Sequence, residues 1–187
     1  GQVQFDVENA AAASGGGNGA IEVVHLTTRG LQYLGEVGNV SSVTNTTTVT
    51  ITGTTLAADD CIVNNDIYFT SGDASGEGGT ITDYNGTTKV VTFTPAITAP
   101  SATDGYAIGP KVVISGDGQG GNVRCTVNST GGINATAVIS GGNNYSNASI
   151  TVLSNASQSN SFNPSPVAVL TPIIGPRGGH GSDAVQE

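Results

Sequence analysis

Acidic, histidine and cysteine side chains are the groups in this chain that could bind a metal ion or perform acid–base chemistry. Calcium takes clustered oxygen ligands, and the acidic positions that could supply them are Asp59, Asp60, Asp73, Glu77 and Asp117. The loop GDASGEGG at 72–79 places two carboxylates among glycines. Because it lacks the regular acidic alternation of a calcium-binding loop, the sequence predicts a turn there rather than a metal site.

The two imidazoles, His25 and His180, are candidates for a metal ligand or a general base. His25 follows apolar residues in EVVHL, and His180 lies between Gly179 and Gly181. Either role requires partners at ligand or hydrogen-bonding spacing, and the sequence supplies none. We therefore expect structural roles for both, with His180 held in a loop by backbone contacts.

Cys61 and Cys125 are too few for a disulfide scaffold and lack the spacing of metal ligands. Each lies in a strand-like run, DCIV and NVRCTV. Because cysteine is common in protein cores, we expect two buried free thiols, with a disulfide between them as the alternative.

Glycine-rich strings at 15–19 (GGGNG) and 116–121 (GDGQGG) are the remaining candidate motifs. Neither has the Lys-Ser/Thr pair or the strand-to-helix setting of a phosphate-binding loop, and no serine stands in a GxSxG motif. The sequence thus identifies no catalytic residue, no cofactor-binding residue and no metal ligand. It predicts a protein that is not an enzyme and uses no cofactor.

The composition favours strands and tight turns over helices. The 187 residues include 28 glycines, and only 10% are charged, against about 25% in ordinary soluble domains. Glycine lowers helix stability, and short polar side chains compete for the helical backbone. We expect an all-β protein.

The charge distribution argues against two classes of partner. The net charge is −9, and the basic residues are scattered at Arg29, Lys89, Lys111, Arg124 and Arg177. Phosphate binding depends on clustered basic side chains, and so does attraction to an anionic membrane surface. No apolar run approaches the ~20 residues of a spanning helix. The sequence predicts neither a nucleic-acid partner nor a membrane partner.

An internal repeat is the most informative pattern. GQVQFDVEN at 1–9 matches GNVRCTVNS at 121–129, with apolar residues at every second position, as in a half-buried strand. GAIEVVHL at 19–26 then matches GGINATAVI at 131–139, and each is followed by a segment with a glycine and a tyrosine at similar offsets. The strand-like KVVISGDG at 111–118 has no counterpart before Gly1, so we expect an incomplete first repeat in an internal segment of a longer subunit.

The residues between the copies have different content. TTVTIT at 47–52 and DIYFTSG at 66–72 are β-branched or aromatic runs. Asn85-Gly86 joins two more such runs, which is the signature of a hairpin with a type I′ turn. We predict an incomplete β-repeat at 1–38, an inserted antiparallel domain of about four strands at 39–109 and a second β-repeat at 110–160.

The last segment, 161–187, is rich in proline and glycine. Its prolines lack amide donors and suit an edge strand or a linker. Asp183 followed by Gln186 resembles a helix cap, so a helix is expected to begin there. Open, weakly charged sheet edges need partners, and we expect these to be other copies of the chain or neighbouring subunits, bound through edge strands and loops.

Two stretches and the repeat resemble structural proteins of tailed phages. The glycine-rich repeat is similar to β-repeats of their virion proteins, and residues 66–94 are similar to a small β-module of phage tail, neck and fibre proteins. The segment IIGPRGGHGSDAVQE at 173–187 resembles the GGHG segment of baseplate wedge proteins in contractile-tailed phages. The resemblance implies a virion structural component that mediates subunit assembly, and it carries over no catalytic residues.

Asn-x-Ser/Thr sequons support a second hypothesis, an extracellular or cell-surface fibre or adhesin that binds glycans or surfaces. The sequons begin at Asn39, Asn45, Asn85, Asn128, Asn134, Asn144, Asn147 and Asn155. In a secreted fibre they could carry glycans, whereas in a phage protein they would be unmodified polar surface. The few aromatic residues leave little platform for stacking on sugars.

Overall fold

Strands and turns make up the described part of the chain, which contains no α-helix. The structure is a computed structural model, and it describes residues 19–153 and 166–175. The strands are β1 (Ile21–Thr28), β2 (Glu36–Asn45), β3 (Thr48–Ile51), β4 (Asp66–Phe69), β5 (Gly78–Asn85), β6 (Val90–Thr94), β7 (Gly105–Gly109), β8 (Val112–Gly116), β9 (Gln119–Val127), β10 (Ile133–Asn143), β11 (Ala148–Val152) and β12 (Val169–Ile174). The predicted all-β class is confirmed.

Strands β2 to β7 form a closed antiparallel barrel in the order β2-β3-β6-β5-β4-β7. The prediction of about four strands for this insert was wrong, because six strands are present. β2 and β7 were not predicted, because their sequences have weak strand propensity. β2 is rich in serine, asparagine and glycine, and β7 begins and ends with glycine. Closure pairs both edges of every strand. The open edges predicted from the sequence are therefore absent from the barrel.

The barrel core follows from the two-residue period of its strands. On β3 and β6 the alternate residues point inward and are fully or almost fully buried. On β5 the register shifts between Ile81 and Asp83, so Ile81 and Tyr84 both face the core although they are three positions apart. The largest buried side chains of this core are the aromatic residues Phe69, Tyr84, Phe93 and Tyr106.

The hairpin predicted at Asn85-Gly86 is present, but its turn is longer than a two-residue type I′ turn. Asn85 pairs with Val90, which leaves four residues in the loop. The Asn85 side chain accepts hydrogen bonds from the backbone amides of Thr87 and Thr88 at 3.0 and 2.7 Å. The positive φ of this loop, 62°, belongs to Lys89. The hydrogen bonds to the Asn85 side chain and the left-handed backbone conformation of Lys89 therefore close a four-residue loop in place of a two-residue turn.

The six remaining strands enclose a second hydrophobic core and form what we call the repeat body (residues 19–33, 112–152 and 166–175). β1, β12, β11 and β8 form one sheet in that order, and β9 and β10 form a separate hairpin. β8 packs against this core with the partly buried Val112 and Ile114. The buried core residues come from the other five strands and the adjoining turns: Ile21, Val24, Tyr33, Val123, Cys125, Val127, Ile133, Tyr145, Val152, Ala168 and Leu170.

Two strand pairs of the repeat body share the same register. β1 pairs with β12 and has extra residues at Glu22 and Thr27, where the register shifts. β10 pairs with β9 and has extra residues at Asn134 and Ile139. The bulges thus fall at the same two positions of the matched sequences GAIEVVHLT and GGINATAVI. β12 lies beside β1 as β9 lies beside β10.

The turns that follow β1 and β10 also match. Each has a glycine with φ of 64° three residues before a tyrosine, and a second positive φ at the residue before that tyrosine: Gly30, Gln32 (69°) and Tyr33 in one turn, and Gly142, Asn144 (62°) and Tyr145 in the other. Both tyrosines are 4% exposed. Their hydroxyls accept hydrogen bonds from equivalent amides, of Ala168 at 3.0 Å and of Gly121 at 3.3 Å.

The two repeats exchange contacts across a local twofold relation. The Tyr33 amide donates to the carbonyl of Gly131, and the Tyr145 amide donates to the carbonyl of Gly19, both at 2.9 Å. Gly19 and Gly131 are themselves equivalent, and both have positive φ. Each turn therefore fixes the start of the other repeat's strand, which supports the duplication inferred from the sequence.

β12 corrects two expectations about the C-terminal segment. It is neither a linker nor an edge strand, because it lies between β1 and β11. Pro172 is tolerated there since the pairing with β11 is confined to Ile150 and Leu170. Residues 1–9, the glycine string at 15–18, His180, the cap at Asp183 and Gln186, and the GGHG segment lie outside the described residues.

Candidate functional site

A buried ion pair joins the barrel to the repeat body. Asp66 begins β4 of the barrel, and Arg124 lies in the middle of β9. The Arg124 Nη1 atom lies 3.0 Å from the Asp66 Oδ2 atom, with side-chain exposures of 15% and 4%. The Thr80 hydroxyl donates to the other carboxylate oxygen at 2.9 Å, and Lys111 Nζ donates to the Thr80 hydroxyl at 3.1 Å. This polar network fixes the orientation of β9 against the barrel.

Close backbone packing surrounds the ion pair. A Cβ atom at Gly109 would collide with the backbone carbonyl of Cys125, so only glycine permits this approach of β7 to β9. The Cys125 thiol donates to the Pro110 carbonyl at 3.5 Å. Burial raises the pKa of this thiol to about 12, and the nearby Asp66 carboxylate adds to the shift. The thiol therefore stays neutral and acts as a packing group.

Cys61 is also a buried free thiol, as expected from the sequence, and burial raises its pKa. Cys61 belongs to the barrel core and Cys125 to the core of the repeat body. The alternative of a disulfide between them is therefore wrong for this structure.

A second buried polar group lies inside the barrel. The Tyr106 hydroxyl donates to Glu36 Oε1 at 2.8 Å, and the Thr55 hydroxyl donates to Glu36 Oε2 at 2.7 Å. Tyr106 is fully buried and Glu36 is 8% exposed. Burial, reinforced by the hydrogen bond to Glu36, raises the pKa of Tyr106 far above its usual range. Tyr106 thus stays protonated and serves as a permanent donor to the carboxylate.

Neither buried group was predicted from the sequence. Asp66 and Glu36 lie at the starts of strands, where a charged residue is usually exposed. A single charged residue in an otherwise apolar or aromatic strand could have indicated the ion pair: Asp66 stands in DIYF, and Arg124 stands in NVRCTV.

The acidic pair Asp59 and Asp60 caps backbone amides of the β5–β6 hairpin. The Asp59 carboxylate accepts a hydrogen bond from the Gly86 amide at 2.7 Å, and the Asp60 carboxylate accepts one from the Tyr84 amide at 3.3 Å. Both contacts hold the loop before β4 against the end of β5.

The GDASGEGG loop is a turn, as predicted. Gly72 and Gly76 have positive φ, and the amides of Ser75 and Glu77 donate to carbonyls within the loop. The Glu77 carboxylate accepts hydrogen bonds from the Thr98 hydroxyl and amide at 2.6 and 2.8 Å. These hydrogen bonds lower the pKa of Glu77. Asp73 is exposed.

Asp117 braces the turn between β8 and β9 against the turn before β11. Its carboxylate accepts hydrogen bonds from the Ser146 hydroxyl and from the amides of Ser146 and Asn147, the two amides at 2.9 Å. These hydrogen bonds, the Ser146 hydroxyl first, hold the pKa of Asp117 well below its usual range. Asp117 therefore stabilises a turn.

His25 lies exposed on β1, opposite Thr171 of β12. Across residues 19–153 and 166–175, no three histidine, cysteine, aspartate or glutamate side chains lie close enough together to hold a metal ion. In the same residues no helix is long and apolar enough to cross a membrane.

Three of the sequons form the same kind of turn. In each, the asparagine Oδ1 atom accepts a hydrogen bond from the amide two residues further on, at 2.8 to 3.0 Å: Asn45 from Thr47, Asn85 from Thr87 and Asn128 from Thr130. In two of them the threonine hydroxyl donates to the same oxygen. Asparagine two residues before threonine therefore builds Asx turns at the ends of strands, which accounts for part of the sequon pattern.

Searches against protein-family models, curated proteins and solved structures found no match to this chain. Its function is therefore inferred from the geometry and from the resemblance in sequence.

Proposed function

We propose that this chain is a structural β-module of a phage tail or baseplate protein, and that it holds neighbouring subunits in a fixed geometry. The observation that carries the proposal is that several acidic side chains accept hydrogen bonds within the protein itself. Asp59, Asp60, Glu77 and Asp117 accept hydrogen bonds from the protein's own backbone or hydroxyls. Asp66 joins the two bodies through Arg124. These five carboxylates of the described residues therefore stabilise turns and the contact between the two bodies.

The repeat suggests where a neighbouring subunit binds. In the second repeat, the Arg124 side chain of β9 contacts the barrel, and the Cys125 backbone carbonyl lies against Gly109 of β7. Thr171 of β12 is the equivalent of Arg124, and it is exposed together with several residues on the outer face of β1 and β12. Its apolar residues are Val23 (39%), Val169 (48%) and Ile173 (42%). We propose that a β-domain of a neighbouring tail subunit packs on this face, as the barrel packs on β9.

This mode of contact differs from the one expected from the sequence. Strand addition is unavailable on the barrel, because its sheet is closed. Contacts through sheet faces and loops replace edge pairing there, and the partners proposed remain other copies of the chain or neighbouring virion subunits.

Immunogold electron microscopy tests the proposal. Antibodies raised against the full chain are applied to phage particles and to cells from the culture that encodes it. Gold on the tail or baseplate of the particles is the expected result. Gold confined to cell surfaces, together with binding of the purified chain on a glycan array, would contradict the virion proposal and favour the fibre or adhesin.

A further inference from the structure

We infer that the open edge of β8 pairs with β8 of a second copy of the chain, antiparallel and about a twofold axis at Ile114. β8 lies at the end of its four-stranded sheet, where it pairs with β11 on one side. Within residues 19–153 and 166–175, no strand pairs with its other side. The inference concerns self-association, so it does not rest on the proposed function.

Backbone hydrogen bonds at both ends of β8 show which residues face its open side. The Leu153 amide donates to the Lys111 carbonyl at 2.9 Å, and the register continues unbroken along β8 and β11. At the other end, the Asp117 amide donates to the Asn147 carbonyl. In an antiparallel pair, residues that bond to the partner strand alternate with residues that face away from it. The odd-numbered residues of β8 therefore bond to β11, and the open side presents the amides and carbonyls of Val112, Ile114 and Gly116.

The other sheet edges of the described chain are closed, bulged or covered. The barrel has no edge, because its sheet is closed. β1 has two bulges, and its Val24 carbonyl accepts a hydrogen bond from the Thr136 hydroxyl of β10. β10 also has two bulges, and β9 lies against Gly109 of β7. The register of β8 with β11 has no bulge, and residues 112–116 carry no charge, so β8 lacks the features that normally block pairing at an edge.

The charges at the two ends of β8 select a second copy as the partner. Lys111 and Asp117 flank the uncharged strand at equal distances from Ile114. In an antiparallel pair centred on Ile114, Lys111 of each copy lies opposite Asp117 of the other, and opposite charges across a strand pair stabilise it. Val112 then lies opposite Gly116, so the residues that face the open side bond to one another. A twofold pair uses the same surface on both copies, and β8 is complementary to itself.

Both charged side chains keep the capacity for this contact. The Lys111 ammonium donates to the Thr80 hydroxyl, which uses one of its three N–H donors. Asp117 is exposed, and hydrogen bonds from the amides of Ser146 and Asn147 hold its carboxylate at the end of the strand. Residues at odd positions share one face of a strand, so each lysine and the aspartate opposite it lie on the same face of the paired sheet.

The pairing also covers apolar surface. Val112 and Ile114 are only partly buried where they pack against the core of the repeat body. In the paired strands the two Ile114 side chains lie side by side on that face, and apolar cross-strand neighbours stabilise a sheet.

Charge reversal at the ends of β8 tests the register. Lys111→Glu places two carboxylates opposite each other at both ends of the pair, and Asp117→Lys places two ammonium groups there. Each variant alone should therefore self-associate about tenfold or more weakly than the unsubstituted chain. An equimolar mixture of the two variants restores opposite charges at both ends and should associate about as strongly as the unsubstituted chain. Lys111 and Asp117 lie about 20 Å apart along one strand, so recovery in the mixture reports a contact between copies.

Sedimentation velocity over a range of protein concentrations measures the association. Arg29→Glu is the matched control, because it makes the same change of charge at an exposed side chain outside β8 and should leave self-association unchanged. A mixture that associates no more strongly than either variant alone, with all variants folded by circular dichroism, would overturn the inference.

Amide hydrogen exchange of the unsubstituted chain, followed residue by residue by nuclear magnetic resonance, covers the case in which Asp117→Lys fails to fold. The amides of Val112, Ile114 and Gly116 should exchange about tenfold or more slowly at high than at low protein concentration. Those of Val113 and Ser115 bond to β11 and should be protected equally at both. Fast exchange at the first three amides at every concentration would show an unpaired edge. Slow exchange there in a chain that sediments as a monomer would show that another part of the same chain covers the edge. Either result would contradict the pairing of two copies.

Discussion

Removal of the charge of Arg124 should destabilise the whole protein, because that charge neutralises a buried carboxylate between the barrel and the repeat body. The Asp66 side chain is 4% exposed, and its charge is met by Arg124 at 3.0 Å and by the hydroxyl of Thr80. Arg124→Met keeps the length and packing of the side chain but leaves the carboxylate with a neutral donor alone.

The magnitude follows from the burial of the pair. Breaking a buried ion pair by removing one partner costs about 3–5 kcal/mol, since the other charge stays buried. Thr80 still donates to Asp66, so we expect about 3 kcal/mol for Arg124→Met and a similar cost for Asp66→Asn. The double variant removes both charges, and it should cost about 1–3 kcal/mol less than the sum of the single changes.

Urea unfolding followed by far-ultraviolet circular dichroism measures these free energies, because the chain has no tryptophan for fluorescence. Lys111→Met is the control: it removes a cation that donates to the hydroxyl of Thr80 and should cost less than about 1 kcal/mol. Single variants within about 0.5 kcal/mol of the unsubstituted chain, or strictly additive costs, would refute the role of the pair in joining the two bodies.

Three further substitutions and one labelling experiment test individual contacts. Tyr106→Phe removes a donor to the buried carboxylate of Glu36 and should cost about 1–3 kcal/mol by urea unfolding; equal stability would contradict the buried hydrogen bond. The lowered pKa of Asp117 stabilises the fold above its unfolded pKa, and this contribution is lost as the pH falls through the folded value, so the stability difference between Asp117→Asn and the unsubstituted chain should shrink from about pH 5 to about pH 2. A pH-independent difference would show that the carboxylate charge is not responsible. Asn128→Ala loses the acceptor of three turn hydrogen bonds and should lower the unfolding free energy by about 1–2 kcal/mol. An unchanged unfolding free energy would show that other contacts hold the turn. Cys125, buried and with its pKa raised to about 12, should react with a maleimide more than about 100-fold more slowly than free glutathione, and rapid labelling of the folded protein would contradict this burial.

Local patterns in the sequence determined the fold class, the thiol state and several turns. Alternating apolar residues in TTVTIT and KVVTFT predict strands because a half-buried strand has a two-residue period, and β3 and β6 lie there. The abundance of glycine, asparagine and threonine disfavoured helices, and the described residues contain only strands and turns. These features depend on neighbours in the chain, so the sequence alone carries them.

The repeat was visible in the sequence because both copies keep the same apolar positions and the same glycine and tyrosine in the turn. The arrangement of the two copies in space was not predictable from the sequence. The exchange of hydrogen bonds between Tyr33 and Gly131 and between Tyr145 and Gly19 joins residues more than ninety positions apart, and a local pattern does not identify distant partners.

Tertiary structure alone decided the closure of the barrel, the place of β12 and the buried ion pair. β2 and β7 have weak strand patterns, and they are strands because closure supplies partners on both sides. β12 carries a proline that favours an edge, yet its apolar face fits the core beside β1. Asp66 and Arg124 looked like isolated charges, and only the packing of β9 against the barrel, mainly against β7, brings them together. In each case the free energy comes from contacts between distant segments, which outweigh the local preferences that a sequence expresses.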